Sequence, residues 1–193
     1  KIKKLAHNKW NNAAVQLEPK DKQELTKEER LFGPERKTGI DKKYRISEVV
    51  WINDQWTYDI IWPYMEIANN EAGWKYDIKA AENCQITRYK KGGFYNFHTD
   101  GMGDHLSVMN DPGNKFLHGH VRKLSMSVML NDNFEGGAFE FASYAKEKCN
   151  ITPIEANAGD IIFFTSGMEH RVAPVTKGVR YSLVNWFIGP PVV

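Results

Sequence analysis

The chain of 193 residues has only two cysteines, no long apolar run, no marked excess of either charge and no repeated unit. Cys84 and Cys149 lie far apart and form no C-x-x-C pair, which fits a reducing compartment with two buried thiols better than a disulfide scaffold. The 26 basic and 24 acidic residues give a formal net charge of +2, so no strong field for nucleic acid or an anionic membrane arises. No segment approaches the length of a membrane span, and the start, KIKKLAHNKW, lacks the apolar core of a signal peptide. The expectation is a cytoplasmic protein with neither nucleic-acid nor membrane partners. The first residue is Lys rather than Met, which leaves open whether residues precede Lys1, and oligomeric state is not fixed by the sequence. The lack of a repeat argues against a solenoid or propeller.

What is present divides by texture. The length suits a single domain over 1–193 with a substantial core. Residues 1–45 are polar and charge-dense, predicting a peripheral N-terminal segment with one short helix near 21–31. Residues 46–81 predict a strand and a supporting helix: RISEVVWI at 45–52 reads as extended. In the following DQWTYDIIWPYMEIANNEAGW, Trp56, Ile60, Ile61, Tyr64, Met65 and Ile67 recur at helical spacing. That helix is expected over about 54–72, kinked or restarted at Pro63. Residues 82–190 consist of short strands separated by Gly, Asn, Asp and Pro: ENCQITRYK, GGFYNFHTD, KLSMSVMLND, GGAFEFAS, NITPIEA, GDIIFFTS, HRVAPV and VRYSLVNWFI. The predicted fold is therefore mainly β with N-terminal helices, a double-stranded β-helix (jelly roll, cupin-like) with the helices against one sheet.

Strand alternation assigns faces. In KLSMSVML, Leu124, Met126, Val128 and Leu130 share the side expected to meet the helices, while Ser125, Ser127 and Met129 face a cavity. In RYSLVNWFI, Arg180, Ser182, Val184 and Trp186 share a side, and an arginine inside a barrel is costly without an anionic partner.

The chemistry sits in FYNFHTDGMGDH and SGMEHRVAPVTKGVRYSLVNW. On an extended strand His98 and Asp100 point to one side and can close on one ion. A second histidine, His170, completes two imidazoles and one carboxylate, a set that leaves coordination positions free and suits non-haem Fe(II). Zinc is the competing metal for such a set. Arg180 has the planar fork that clamps a distal carboxylate.

The ordered combination His98-Thr99-Asp100, His170 and Arg180 resembles the Fe(II)/2-oxoglutarate dioxygenase superfamily, in particular its prolyl 4-hydroxylase-like branch, over roughly residues 45–190. The resemblance implies that His98, Asp100 and His170 hold Fe(II) and that Arg180 binds the C5 carboxylate of 2-oxoglutarate. It further implies O2 as the second cosubstrate, ascorbate as a reductant, and a peptide or protein substrate hydroxylated at a prolyl residue. Tyr89 matches a tyrosine near the cosubstrate, and Trp186 a tryptophan near cosubstrate and substrate. Met129 and Val184 stand where some relatives carry Tyr and Thr, so Ser127 or Ser182 becomes the candidate donor to the cosubstrate carboxylate. The presence of Asp100 disfavours halogenation, which needs that position free for halide.

Other readings stay open on sequence alone. The substrate side chain can differ from proline or be a small molecule, and a non-catalytic metal-binding jelly roll is the alternative of another class. Tyr89 and Trp186 can be core aromatics, and Arg122 either a substrate contact or a loop salt bridge. His105, His118 and His120 read as solvated loop histidines in preference to a second metal site. Gly136 and Gly137 read as turn residues of positive φ. The turn-rich stretch from Gly101 to about His120 is expected to form a lid over the metal.

Overall fold

The computed structural model describes residues 10–16, 38–102, 107–145 and 148–191. Sixteen strands and one helix occur among the described residues. Before the helix come β1 (Asn11–Asn12), β2 (Val15–Gln16), β3 (Thr38–Gly39), β4 (Arg45–Ile46) and β5 (Glu48–Ile52). Helix α1 (Gln55–Glu71) leads to β6 (Ala80–Ala81), β7 (Cys84–Tyr89), β8 (Phe94–His98), β9 (Val121–Met129) and β10 (Phe134–Gly136). The chain continues through β11 (Phe139–Ala145), β12 (Lys148–Ile154), β13 (Ile161–Thr165), β14 (His170–Val172), β15 (Val175–Gly178) and β16 (Arg180–Gly189).

Two antiparallel sheets carry the structure. The larger runs β1-β5-β7-β16-β9-β13 with β6 also on β16, and the smaller runs β12-β11-β14-β8-β4. This is the double-sheet arrangement of a jelly roll. The strand-like run RISEVVWI breaks at Ser47: β4 pairs β8 in the smaller sheet and β5 pairs β7 in the larger. The segment therefore ties the two layers together, which its uniform pattern did not reveal.

The outer face of the larger sheet is covered by α1. Ile61 and Met65 pack with Val50, Ile86, Leu124, Met126, Leu183 and Phe187, as the alternation in β9 required. Helix burial is narrower than the apolar spacing suggested: Thr57, Ile61, Met65 and Asn69, each four apart, are buried, whereas Ile60, Tyr64 and Ile67 are exposed. The helix also runs unbroken through Pro63. It is the one helix among the described residues, which therefore carry one of the expected N-terminal helices. The helix expected near 21–31 lies outside the described residues.

Between the sheets, Tyr89, Phe139, Phe164, Val172 and Val175 form a second cluster. Cys84 is buried, but Cys149 is exposed, correcting the expectation of two buried thiols. It lies in β12, an edge strand of the smaller sheet whose residues are nearly all exposed.

Candidate active site

His98 ends β8, and His170, opposite it, begins β14. The pairing is irregular: His98 opposes His170 and Tyr95 opposes Val172, so three steps on β8 match two on β14. Such a bulge re-aims side chains. Here it turns Tyr95 to the side of His98, and their rings stack with centroids 3.5 Å apart.

Each imidazole is oriented by a backbone carbonyl. His98 Nδ1 lies 2.7 Å from the Asn96 oxygen, and His170 Nδ1 lies 2.9 Å from the Met168 oxygen. A carbonyl only accepts, so each Nδ1 carries the proton and each Nε2 presents its lone pair. Asp100, just beyond the strand, is placed by its own N–H and that of Gly101, both donating to the Ser166 carbonyl at 2.9 and 3.1 Å. Its oxygens lie 3.7 Å from His98 Nε2 and 3.6 Å from His170 Nε2, too long for hydrogen bonds. The three donors nevertheless lie within 4.8 Å of one another, surrounding a shared space.

Electrostatics favour the ligating forms. Burial and the neighbouring His170 push His98 down to about 3, so its ring stays neutral. Burial pushes the Asp100 carboxyl upward, but His170, His98, Arg122 and a hydrogen bond from Ser125 outweigh it and hold the group below its ordinary value. Two imidazoles and a carboxylate with open positions fit a non-haem Fe(II) ion.

The donors border a cavity of about 750 Å³ that also takes in Tyr89, Ser127, Arg180, Ser182, Trp186 and Arg122. All nine residues expected at the site therefore share one space. Arg180 is fully buried. Its Nη1 donates to Ser182 Oγ at 3.2 Å and its Nη2 to Met129 Sδ at 3.2 Å, both neutral, while its Nε–H has no partner. Burial pushes its pKa down, opposed by Tyr89, whose ring lies 5.5 Å from the guanidinium carbon. A buried cation with neutral partners and an orphaned donor fits an incoming carboxylate.

The opposite flank is aromatic. The Trp186 ring has the Arg122 guanidinium 4.0 Å above it and its buried Nε1–H unpartnered. Arg122 donates to Glu82 through Nε at 2.5 Å and Nη2 at 2.7 Å, and through Nη1 to the Asp100 carbonyl at 3.2 Å. It thus forms a salt bridge while still bordering the cavity.

Chain comparison places this geometry. Residues 84–188, more than half the chain, match the 2OG-Fe(II) oxygenase superfamily. The chain belongs to that superfamily. A PKHD-type hydroxylase of Xylella fastidiosa (strain M12) is 34% identical over 105 residues, covering 53% of this chain and 42% of that protein. This oxygenase chain thus spans less than half the length of that relative. Among solved structures, the viral collagen prolyl hydroxylase of Paramecium Bursaria Chlorella virus-1, in its 2OG complex, is 25% identical with a TM-score of 0.53, covering 75% of this chain and 79% of that one. A Trichoplax adhaerens prolyl hydroxylase, in complex with a hypoxia inducible factor oxygen degradation domain peptide fragment, is 18% identical with a TM-score of 0.57, covering 77% and 65%. These likenesses support the jelly-roll fold. Superfamily membership implies Fe(II), 2-oxoglutarate and O2.

Several residues escaped the sequence reading: Tyr95, Arg45, Glu82 and Ser166; Ser125 was placed on the cavity face without a role. Tyr95 was hidden by the bulge, since three residues from His98 is the wrong parity for a regular strand. Glu82 and Arg122 are 40 apart in sequence, and nothing local connects them. His105 lies outside the described residues, and among the described residues the one cluster of metal-ligating side chains is His98, Asp100 and His170. His118 and His120 do not join it. The segment expected as a lid closes on itself where described: the Met109 N–H donates to the His120 carbonyl and the Gly119 N–H to the Met109 carbonyl.

Proposed function

We propose that this oxygenase hydroxylates an unactivated C–H bond, most simply that of a prolyl residue in a peptide, with His98, Asp100 and His170 holding Fe(II) and Arg180 holding 2-oxoglutarate. The observation that carries the reading is the buried, uncompensated Arg180 in the same cavity as the triad. When bound, the iron and cosubstrate supply the oxidation: 2-oxoglutarate, O2 and R–H become succinate, CO2 and R–OH. The chain's own residues bind and orient. The Asn96 and Met168 carbonyls fix the two imidazoles, and Ser125 and Ser166 fix Asp100. Arg180 sets the far end of the cosubstrate, with Ser182 and Ser127 as neighbouring hydroxyls and Tyr89 along its path. Trp186, Tyr95 and Arg122 line the flank left for substrate, where apolar rings exclude water and the Trp186 N–H and Arg122 supply donors. The kinship with a PKHD-type hydroxylase and the peptide held by the Trichoplax enzyme favour a peptide. A small molecule or another side chain is the second reading.

The test is succinate formation from 2-oxoglutarate with Fe(II) and ascorbate, followed by a screen of proline-containing peptides for the mass gain of one oxygen atom. His98→Ala, Asp100→Ala and His170→Ala are each expected to abolish succinate formation and to weaken iron binding greatly. Retained turnover in any one of them overturns the ligand set.

A further inference from the structure

Arg180 is not the only arginine sunk in the cavity. Arg45, in β4, is 8% exposed and borders the same space. Its Nε donates to Ser47 Oγ at 2.7 Å and its Nη2 to Gln85 Oε1 at 2.9 Å. Gln85 Oε1 also accepts from Thr87 Oγ1 at 3.0 Å. The face of the guanidinium lies 4.4 Å from the Tyr95 ring, and Tyr95 in turn stacks on His98. Every one of these partners is neutral, and a guanidinium has five N–H donors.

Position separates the two arginines. On the β7–β16 ladder Arg180 opposes Tyr89, whereas Gln85, the anchor of Arg45, opposes Val184. The Arg180 guanidinium reaches Ser182, opposite Thr87, so the two anchors stand two residues apart, roughly 6.6 Å along the strand. With the C5 carboxylate of 2-oxoglutarate at Arg180 and its keto-acid end at the metal, as proposed above, that cosubstrate has no charge left for Arg45. A guanidinium withdrawn from water among neutral groups is unfavourable unless an anion joins it.

We propose that Arg45 forms a second carboxylate subsite, one tyrosine ring away from the metal ligand His98, which recognises a carboxylate carried by the substrate. That carboxylate is either a free α-carboxylate, of an amino acid or a chain end, or an acidic side chain next to the target residue. Carboxylate recognition at this distance from the metal makes Arg45 a determinant of which substrates are oxidised. The inference rests on the oxygenase reading for the occupancy of Arg180.

The experiment is calorimetric titration of metal-free Arg180→Met protein, which removes the competing cation, with matched acid and neutral probes. N-acetyl-proline against N-acetyl-prolinamide represents the α-carboxylate. Acetyl-Pro-Glu-amide and acetyl-Glu-Pro-amide against their Gln counterparts represent the side chain. One acid is expected to bind at least about tenfold tighter than its neutral partner, the scale of a charge-assisted contact. Adding Arg45→Met should erase that preference, while Arg45→Lys should retain part of it. Equal binding of acid and neutral probes, or no binding by any of the acids, overturns the proposal without any Arg45 variant having to fold. An arginine that only braced Tyr95 would leave the unsubstituted-Arg45 protein indifferent to the carboxylate. Succinate formation by the wild-type protein tests the oxygenase reading separately, so the two can fail independently.

Discussion

The ring of Tyr95 lies flat on the imidazole of His98, interplanar angle 16°, although the two stand three positions apart on one strand. The extra residue in β8 makes this possible, and the ring buttresses His98, a proposed metal ligand, whose other ring contact among the described residues is His170 at 4.2 Å. Burial pushes the Tyr95 hydroxyl up to about 12, so the ring presents a neutral face across the working pH range. Tyr95→Phe should therefore leave iron affinity within a factor of about two. Tyr95→Ala, which removes a stacking contact of about 0.5–1.5 kcal/mol, should weaken it by roughly threefold to tenfold. Anaerobic Fe(II) titration of the three proteins checks this, and equal affinities would show that the Asn96 carbonyl alone suffices to hold the ring.

Arg180→Met should raise the apparent KM for 2-oxoglutarate by tenfold or more, because a charge-assisted pair at a buried site is worth about 2–5 kcal/mol. Iron affinity should change little, since the guanidinium contacts Ser182 and Met129 and none of the three metal donors. Steady-state succinate assays with metal titrations separate the two effects. An unchanged KM would mean that the cosubstrate carboxylate binds elsewhere.

Gly137 supports that arginine indirectly. Its φ is +64°, and a Cβ there would lie 2.9 Å from Val175 Cγ2 and 3.1 Å from Arg180 Cδ. Gly137→Ala thus adds left-handed strain of about 1 kcal/mol and pushes on the stem of the clamp. A lower midpoint of thermal unfolding together with a raised KM for 2-oxoglutarate is expected. A lower midpoint with unchanged KM would place the cost in the turn alone.

What the sequence made legible was whatever alternation and spacing encode. Alternation paired His98 with Asp100 and Arg180 with Trp186, while His170 entered through the ordered combination of motifs; all five border one cavity, and the eight strand segments from residue 82 onward all form strands, HRVAPV supplying β14 and the start of β15. Events that break the period were not readable. The β8 bulge hid Tyr95, and the crossing at Ser47 hid the placement of Arg45 and Glu48 in different sheets. Partnerships between distant strands, such as Glu82 with Arg122, leave no local trace. The helix was placed to within a residue or so at each end, yet only one of its two apolar stripes is buried, because the sheet it covers touches a single face.

One such cross-strand pair gives a pH dependence of known sign. Glu48 in β5 opposes Arg88 in β7 and accepts from its Nε at 2.6 Å and Nη2 at 3.2 Å, with Lys90 Nζ at 3.0 Å on the same carboxylate. The Arg88 hydrogen bond, opposed by partial burial and aided by Lys90, holds the Glu48 carboxyl below its ordinary value of 4.5. Because the folded pKa is the lower one, folding favours the ionised form. The stabilisation is complete above 4.5 and disappears as pH falls through the depressed folded value. Wild-type protein should exceed Glu48→Gln in unfolding free energy by about 1 kcal/mol at neutral pH, the upper end for a partly exposed pair. Urea unfolding at a series of pH values should show that gap closing in the acid range, and high salt should narrow it at neutral pH. A gap that persists unchanged in acid would mean that Glu48 stabilises the β5–β7 pairing through packing rather than charge.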